Sequence, residues 1–149
     1  MKFSLMLGLF MLVSSISNAA VTTIQAFDFG EWVVKNNDAQ HEITINTNGS
    51  YTYDSAGFIE ISPPQEGIFD LDGMTPNTSI VSVVVTQFSP LSGSGIDFEM
   101  INFQETHSAS TDGLGVARIT VGGTARTSGA GGSYVDQTFN GIVQIQINF

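Results

Sequence analysis

The chain contains no cysteine. That excludes disulfides, thiolate-ligated metals and a lipid anchor on an N-terminal cysteine. Cations are nearly as scarce. Only Lys2, Lys35, Arg118 and Arg126 oppose fourteen Asp and Glu, for a formal charge of −10. A nucleic-acid binder needs a basic footprint to displace counterions, so nucleic acid is excluded as a partner and an anionic membrane surface is disfavoured. Charged residues of both signs make up 12% of the chain. Leu, Lys and Arg, which favour helices, are rare beyond residue 20, and no segment there keeps a helical period beyond a turn or two.

One uninterrupted apolar run longer than six residues is present, and it lies at the N-terminus. Met1-Lys2 supplies a positive start, Phe3 to Val13 is uncharged and apolar, and Ser14 to Ala20 turns small and polar. Ser17 and Ala19 have the spacing that a signal peptidase prefers. The pattern is that of a secretory leader, too short and wrongly flanked for a transmembrane helix. We expect cleavage after Ala19, giving a signal peptide over residues 1–19 and one domain over 20–149. The expected destination is the periplasm, cell surface or extracellular space. The leader is expected to be an address and not part of the fold.

What the body does contain is β-branched and aromatic residues between Gly-, Ser- and Asn-rich turns. Phe27 and Phe29 flank Asp28 in a first strand, or two, over Thr22–Val34. His41 to Tyr53 reads as a hairpin turning at Asn48-Gly49. A two-residue loop would set Ile45 opposite Thr52. A three-residue loop, Thr47 to Gly49, pairs Ile45 with Tyr51 and Ile43 with Tyr53, gathers the four apolar side chains and puts Gly49 at a left-handed position. The longer loop is preferred.

Further strands are expected at Gly57–Ile61, Thr78–Phe88, Ile96–Phe103, Leu114–Val121 and Phe139–Phe149, with a short one near Ile68-Phe69. The nearly continuous Ile80–Val85 suggests a central strand covered on both faces. Gly122 to Ser133 reads as a hairpin connection or mobile loop. In the last strand Val143, Ile145, Ile147 and Phe149 share one face, opposite Gln144, Gln146 and Asn148. Several short strands at near-regular spacing predict an all-β fold, a single antiparallel sandwich of an immunoglobulin-like or pilin-like kind.

No catalytic signature emerges. Gly-x-Ser-x-Gly is absent, and the glycine-rich stretches lack the Lys and following helix of a phosphate loop. His41 and His107 lie far apart and are expected at the surface. Asp70 and Asp72, with Asn77 nearby, alternate before Gly73 in a way that a calcium ion favours, although the full calcium loop is missing. They are the one metal candidate, and no other cofactor is expected. Trp32, Tyr51 and Tyr53 are candidates for a sugar-stacking platform, against the default of strand packing.

Three stretches carry a resemblance. They are Phe27-Asp28-Phe29-Gly30 after the leader, and Gly73-Met74-Thr75-Pro76-Asn77 before an apolar strand. The third is Val121-Gly122-Gly123-Thr124 followed by Gly132-Ser133-Tyr134 and Phe139-Asn140-Gly141. In this order the chain resembles a family of exported bacterial proteins catalogued as domain of unknown function 4402, and through it the pilin-like and spore-coat-like β-sandwich proteins of surface fibres. The resemblance implies no catalytic residues. Its departures are the missing cysteines and the short Ala20–Ala26 segment before the first strand.

The expectation is therefore a secreted non-enzymatic structural or adhesive surface protein, a candidate pilus or fibre subunit assembling by β-strand addition. Its partner would be itself or a periplasmic chaperone, with Val143, Ile145, Ile147 and Phe149 as the strand-pairing residues. The alternatives are a soluble carbohydrate- or calcium-binding module and a small outer-membrane β-barrel.

Overall fold

The computed structural model describes the backbone of residues 3–6 and 8–9, and residues 20–149 in full. The expected cleavage point and its Ser17 and Ala19 lie outside the described residues. Twelve strands follow in order: β1 Phe3–Met6, β2 Gly8–Leu9, β3 Ala20–Gln25, β4 Asp28–Val34, β5 Glu42–Ile45 and β6 Tyr51–Tyr53. The second half of the chain supplies β7 Phe58–Ser62, β8 Gly67–Asp72, β9 Ser82–Ser92, β10 Glu99–His107, β11 Ala117–Arg126 and β12 Thr138–Asn148. No helix occurs among the described residues, and none is long and apolar enough to cross a membrane.

The strands form two sheets whose inner faces share one apolar core, as the sandwich expectation requires. They do not close into a barrel, and the barrel alternative is not carried forward. In the first sheet β9 pairs β12, β12 meets β1 and β2, β1 pairs β4, and β4 pairs β7. In the second, β11 is the spine. It carries β10 along one side and shares the other between β8, which extends to β3, and β5, which extends to β6.

Period-2 alternation explains most of this. Along β12 the exposed, buried and half-buried positions alternate so that Phe139, Val143, Ile145 and Ile147 face inward. Along β8 the inward residues are Phe69 and Leu71, and in β4 they include Phe29 and Trp32. Trp32 sits edge-on to Phe58 with ring centres 5.9 Å apart, and its indole N–H donates to the Phe29 carbonyl. Burying each such side chain contributes roughly 1.5–3 kcal/mol.

The β5–β6 hairpin takes the three-residue loop. Ile43 pairs Tyr53 and Ile45 pairs Tyr51, the Asn46 N–H donates to the Ser50 carbonyl, and Gly49 adopts φ 78°. Four other expectations need correction. The apolar run Ile80–Val85 leads into an edge strand, not a central one. Among the described residues the one strand ladder of β9 is with β12, joined by a single bridge from Leu91 to Phe98, and Val81, Val84 and Phe88 are exposed. The short strand near Ile68-Phe69 runs the length of β8, because β11 and β3 flank it on both sides. Gly122 and Gly123 lie inside β11 rather than in a loop. An added Cβ on Gly122 would lie 2.4 Å from the Ile45 carbonyl oxygen, so only glycine lets β11 pass from one neighbour to the other here. The loop after β11 is anchored. Buried Asn37 donates to Ser128 Oγ and the Gly131 carbonyl and accepts from the Gly129 N–H, and the Tyr134 hydroxyl accepts from Ser128 N–H and donates to the Asp97 carbonyl.

Candidate functional site

The most unusual feature is a seam in the first sheet. Strand β4 bonds β7 on one side, and β12 bonds β9 on the other. Among the described residues β4 and β12 share no ladder with each other, and the N-terminal segment lies between them. Strand β1 runs antiparallel to β4, with Phe3 opposite Trp32, Ser4 opposite Glu31 and Leu5 opposite Gly30. It runs parallel to β12, with Ser4 beside Thr138 and Leu5 beside Phe139. Strand β2 continues along β12 in the same register, Gly8 beside Ile142 and Leu9 beside Val143.

The strands bordering the seam carry core residues. Phe29, Trp32, Phe139 and Val143 are all buried. Phe139 packs edge-on to Phe98 at 5.0 Å, and Phe98 stacks on Tyr134 at 4.2 Å. Asp28 opens β4 at the rim of the seam. Its backbone exchanges hydrogen bonds with Gln65, and its carboxylate accepts from the Gly30 N–H. Burial raises its pKa from the ordinary carboxylate value, and that Gly30 bond only partly offsets the rise.

Of the residues expected to mediate strand pairing, Val143, Ile145 and Ile147 are core side chains, and Phe149 is about half exposed. What β12 offers a partner is its backbone, not these side chains. The β4 border was not foreseen. The sequence signal there is weak, because Met6 breaks the alternation of Phe3, Leu5, Leu7 and Leu9 and the same residues satisfy a leader's apolar run.

The other candidate sites are placed as follows. Asp70 and Asp72 both lie on β8. Both Asp70 oxygens accept from Arg118, from Nε at 2.8 Å and from the terminal amine at 2.8 Å. That hydrogen bond lowers the Asp70 pKa and raises that of Arg118. The Asp70 carboxylate therefore already has a cation. No group of three or more His, Cys, Asp or Glu that would hold a metal occurs among the described residues. A cleft of about 470 Å³ lies between this pair and Ser108, Ser110, Thr111 and Asp112, whose Oδ1 accepts from the Leu114 and Val116 N–H groups. Trp32 is fully buried and Tyr53 packs on it with ring centres 4.8 Å apart, so Trp32, Tyr51 and Tyr53 form no exposed platform. Tyr51 donates to Glu60, a bond that raises its pKa.

His41 is buried, contrary to the surface expectation. Its Nδ1 lies 2.6 Å from Asp54 Oδ2, and this contact lowers the Asp54 pKa. Its Nε2 has no hydrogen-bond partner among the described residues. Gly57 makes room for the ring, since a Cβ there would lie 2.2 Å from it. His107 is half-buried and pairs with Glu105 on the same strand.

A second cleft, of about 310 Å³, lies between Val34–Asp38 and Gly131–Tyr134. Its buried Asn37 is spent on the loop, and Lys35 donates to the Ser55 carbonyl. No family model, curated protein or solved structure matches the chain.

Proposed function

We propose that this chain is an exported, non-enzymatic structural or adhesive surface protein that assembles by accepting a β-strand into its first sheet. The single observation that carries this reading is the seam. The β9–β12 and β4–β7 pairs are joined only through Phe3–Met6 and Gly8–Leu9 among the described residues. A gap bordered by two strands offers backbone donors and acceptors on both sides, over core side chains that need covering. Main-chain bonds then give affinity, and the apolar residues beneath give register.

The partner in this reading is a second copy of the chain or a chaperone that lends a strand during export. The absence of cysteine fits assembly that relies on ladders and packing alone. The test is the state of the exported protein. Leader-processed material collected from outside the cytosol is expected to form filaments or ordered oligomers by electron microscopy and sedimentation, and these should dissociate to monomer only on heating in detergent. A protein that stays monomeric at high concentration, with no bound chaperone, would remove the reading.

A further inference from the structure

We propose that β1 and β2, Phe3–Met6 and Gly8–Leu9, are a built-in placeholder: they fill the seam while attached, and their removal opens the seam to another chain. The inference rests on the strand-addition reading only for what enters afterwards. Three observations carry it.

First, the register is continuous. Ser4, Leu5, Gly8 and Leu9 pair with Thr138, Phe139, Ile142 and Val143 at one constant offset, so β1 and β2 track β12 as a single line of pairing. A segment lying loosely on the surface has no reason to keep one register across both pieces. Second, β1 is bonded on both sides, through Ser4 and Leu5, while β2 is bonded to β12. Strand β1 is parallel to β12 and antiparallel to β4, with one register shift against β4 between Leu5 and Met6. Third, its composition suits a covered position. Phe3–Leu9 carries no charge, and the backbone of Ser4 and Leu5 lies between strands whose Phe29, Trp32, Phe139 and Val143 are fully buried. A charged or proline-containing segment would be excluded there by desolvation or by the missing N–H.

The consequence is physical. Without the segment the first sheet separates into two strand pairs with unpaired backbone groups along both inner borders. Such groups, left without water or a partner, are costly, and an open border is a template for pairing. The apolar run thus has two uses of one property. Uncharged alternating residues serve export and also complete a ladder until cleavage.

The experiment uses the full chain, with a specific protease site placed within residues 11–19. The protein is folded intact and then cut. The N-terminal fragment is expected to stay with the body through native size exclusion and to leave only in denaturant. In a second version carrying Leu5→Asp and Leu9→Asp, the fragment should be released on cutting. Amides of residues 28–32 and 138–143 should then exchange at least tenfold faster than in the parent, with residues 117–121 unchanged. The proposal is overturned if the parent fragment leaves at once without altering exchange, or if the double substitution changes neither retention nor exchange. A retained fragment in a protein whose processed form never assembles would uphold the placeholder and remove the proposed function. Assembled processed protein with a fragment that never binds would do the reverse.

Discussion

The two sheets solve the same problem in different ways. In the second, β11 takes β10 on one side and β8 and β5 on the other, all from residues beyond 40. In the first, two strand pairs meet, among the described residues, only through β1 and β2 near the N-terminus. The difference lies in the spine. Gly122 lets β11 change partner without opening a gap, because the Ile45 backbone comes close enough to forbid a side chain. The first sheet has no such handover, and a separate strand must fill the space between β4 and β12. One sheet is closed by its own neighbours, and the other is open in principle.

Four substitutions sharpen this contrast, taken from the largest expected effect downward. Ile145→Asp should prevent folding altogether. Ile145 is fully buried on β12, and an unpaired carboxylate there costs about 4 kcal/mol or more. Loss of soluble protein and of a β-type circular-dichroism spectrum would register it. Since the effect acts through the core, it is expected in the full chain whether or not the seam is filled. Retention of native fold would mean that β12 is not packed as described.

Gly122→Ala should strike the closed sheet and spare the seam. The added methyl meets the Ile45 carbonyl, and relief requires backbone movement costing about 1–3 kcal/mol. Urea unfolding should show that loss, while native-state amide exchange rises first in β5 and β11 and not in β4. Faster exchange in β4 instead would mean that the two sheets are coupled more tightly than their ladders indicate.

The smallest effects are those of pH, and they oppose each other. Asp28, beside the seam, has a raised pKa through burial. The folded state holds its proton where the unfolded chain has lost it. Stability therefore falls as pH rises from about 3.9 through the raised value, and the penalty is fully present above it. Asp28→Asn should stabilise at neutral pH and change little near pH 2, because an amide oxygen still accepts from Gly30. Asp70, on the closed sheet, has a pKa lowered by Arg118. Its contribution is present above about 3.9 and is lost as pH falls through the depressed value. Asp70→Asn should destabilise slightly at neutral pH and not in strong acid, since the pair is exposed on the arginine side. Denaturation midpoints at both pH values distinguish the two signs. The same sign for both would show that Asp28 is not desolvated.

Much of the fold could be read from local chemistry. The inward faces of β12 and β5 follow from alternation alone, whereas β4 brings both Phe29 and Trp32 inward through a register shift between Glu31 and Trp32. The loop length at Asn48-Gly49 followed from asking which register gathers the apolar residues. The readings that needed correction all depended on distant partners. Ile80–Val85 is apolar enough for a central strand, yet the sheet ends at β9. His41 gave no local sign of burial, because Gly57 and Phe58, which make and line its niche, are about sixteen residues away. Glycine at 122 reads as a turn until the backbone of Ile45 is seen beside it.

By itself, the sequence determined that this chain would be built from strands, without thiols and without a basic surface. Those properties reside in residue type and in a period of two, which every window of the chain carries. Tertiary structure alone decided which strands border a gap and what fills it. Pairing between Leu5 and Phe139 spans nearly the whole chain, and no local preference encodes a partner at that distance. It is settled only when two sheets have packed and one interval remains wide enough for a strand.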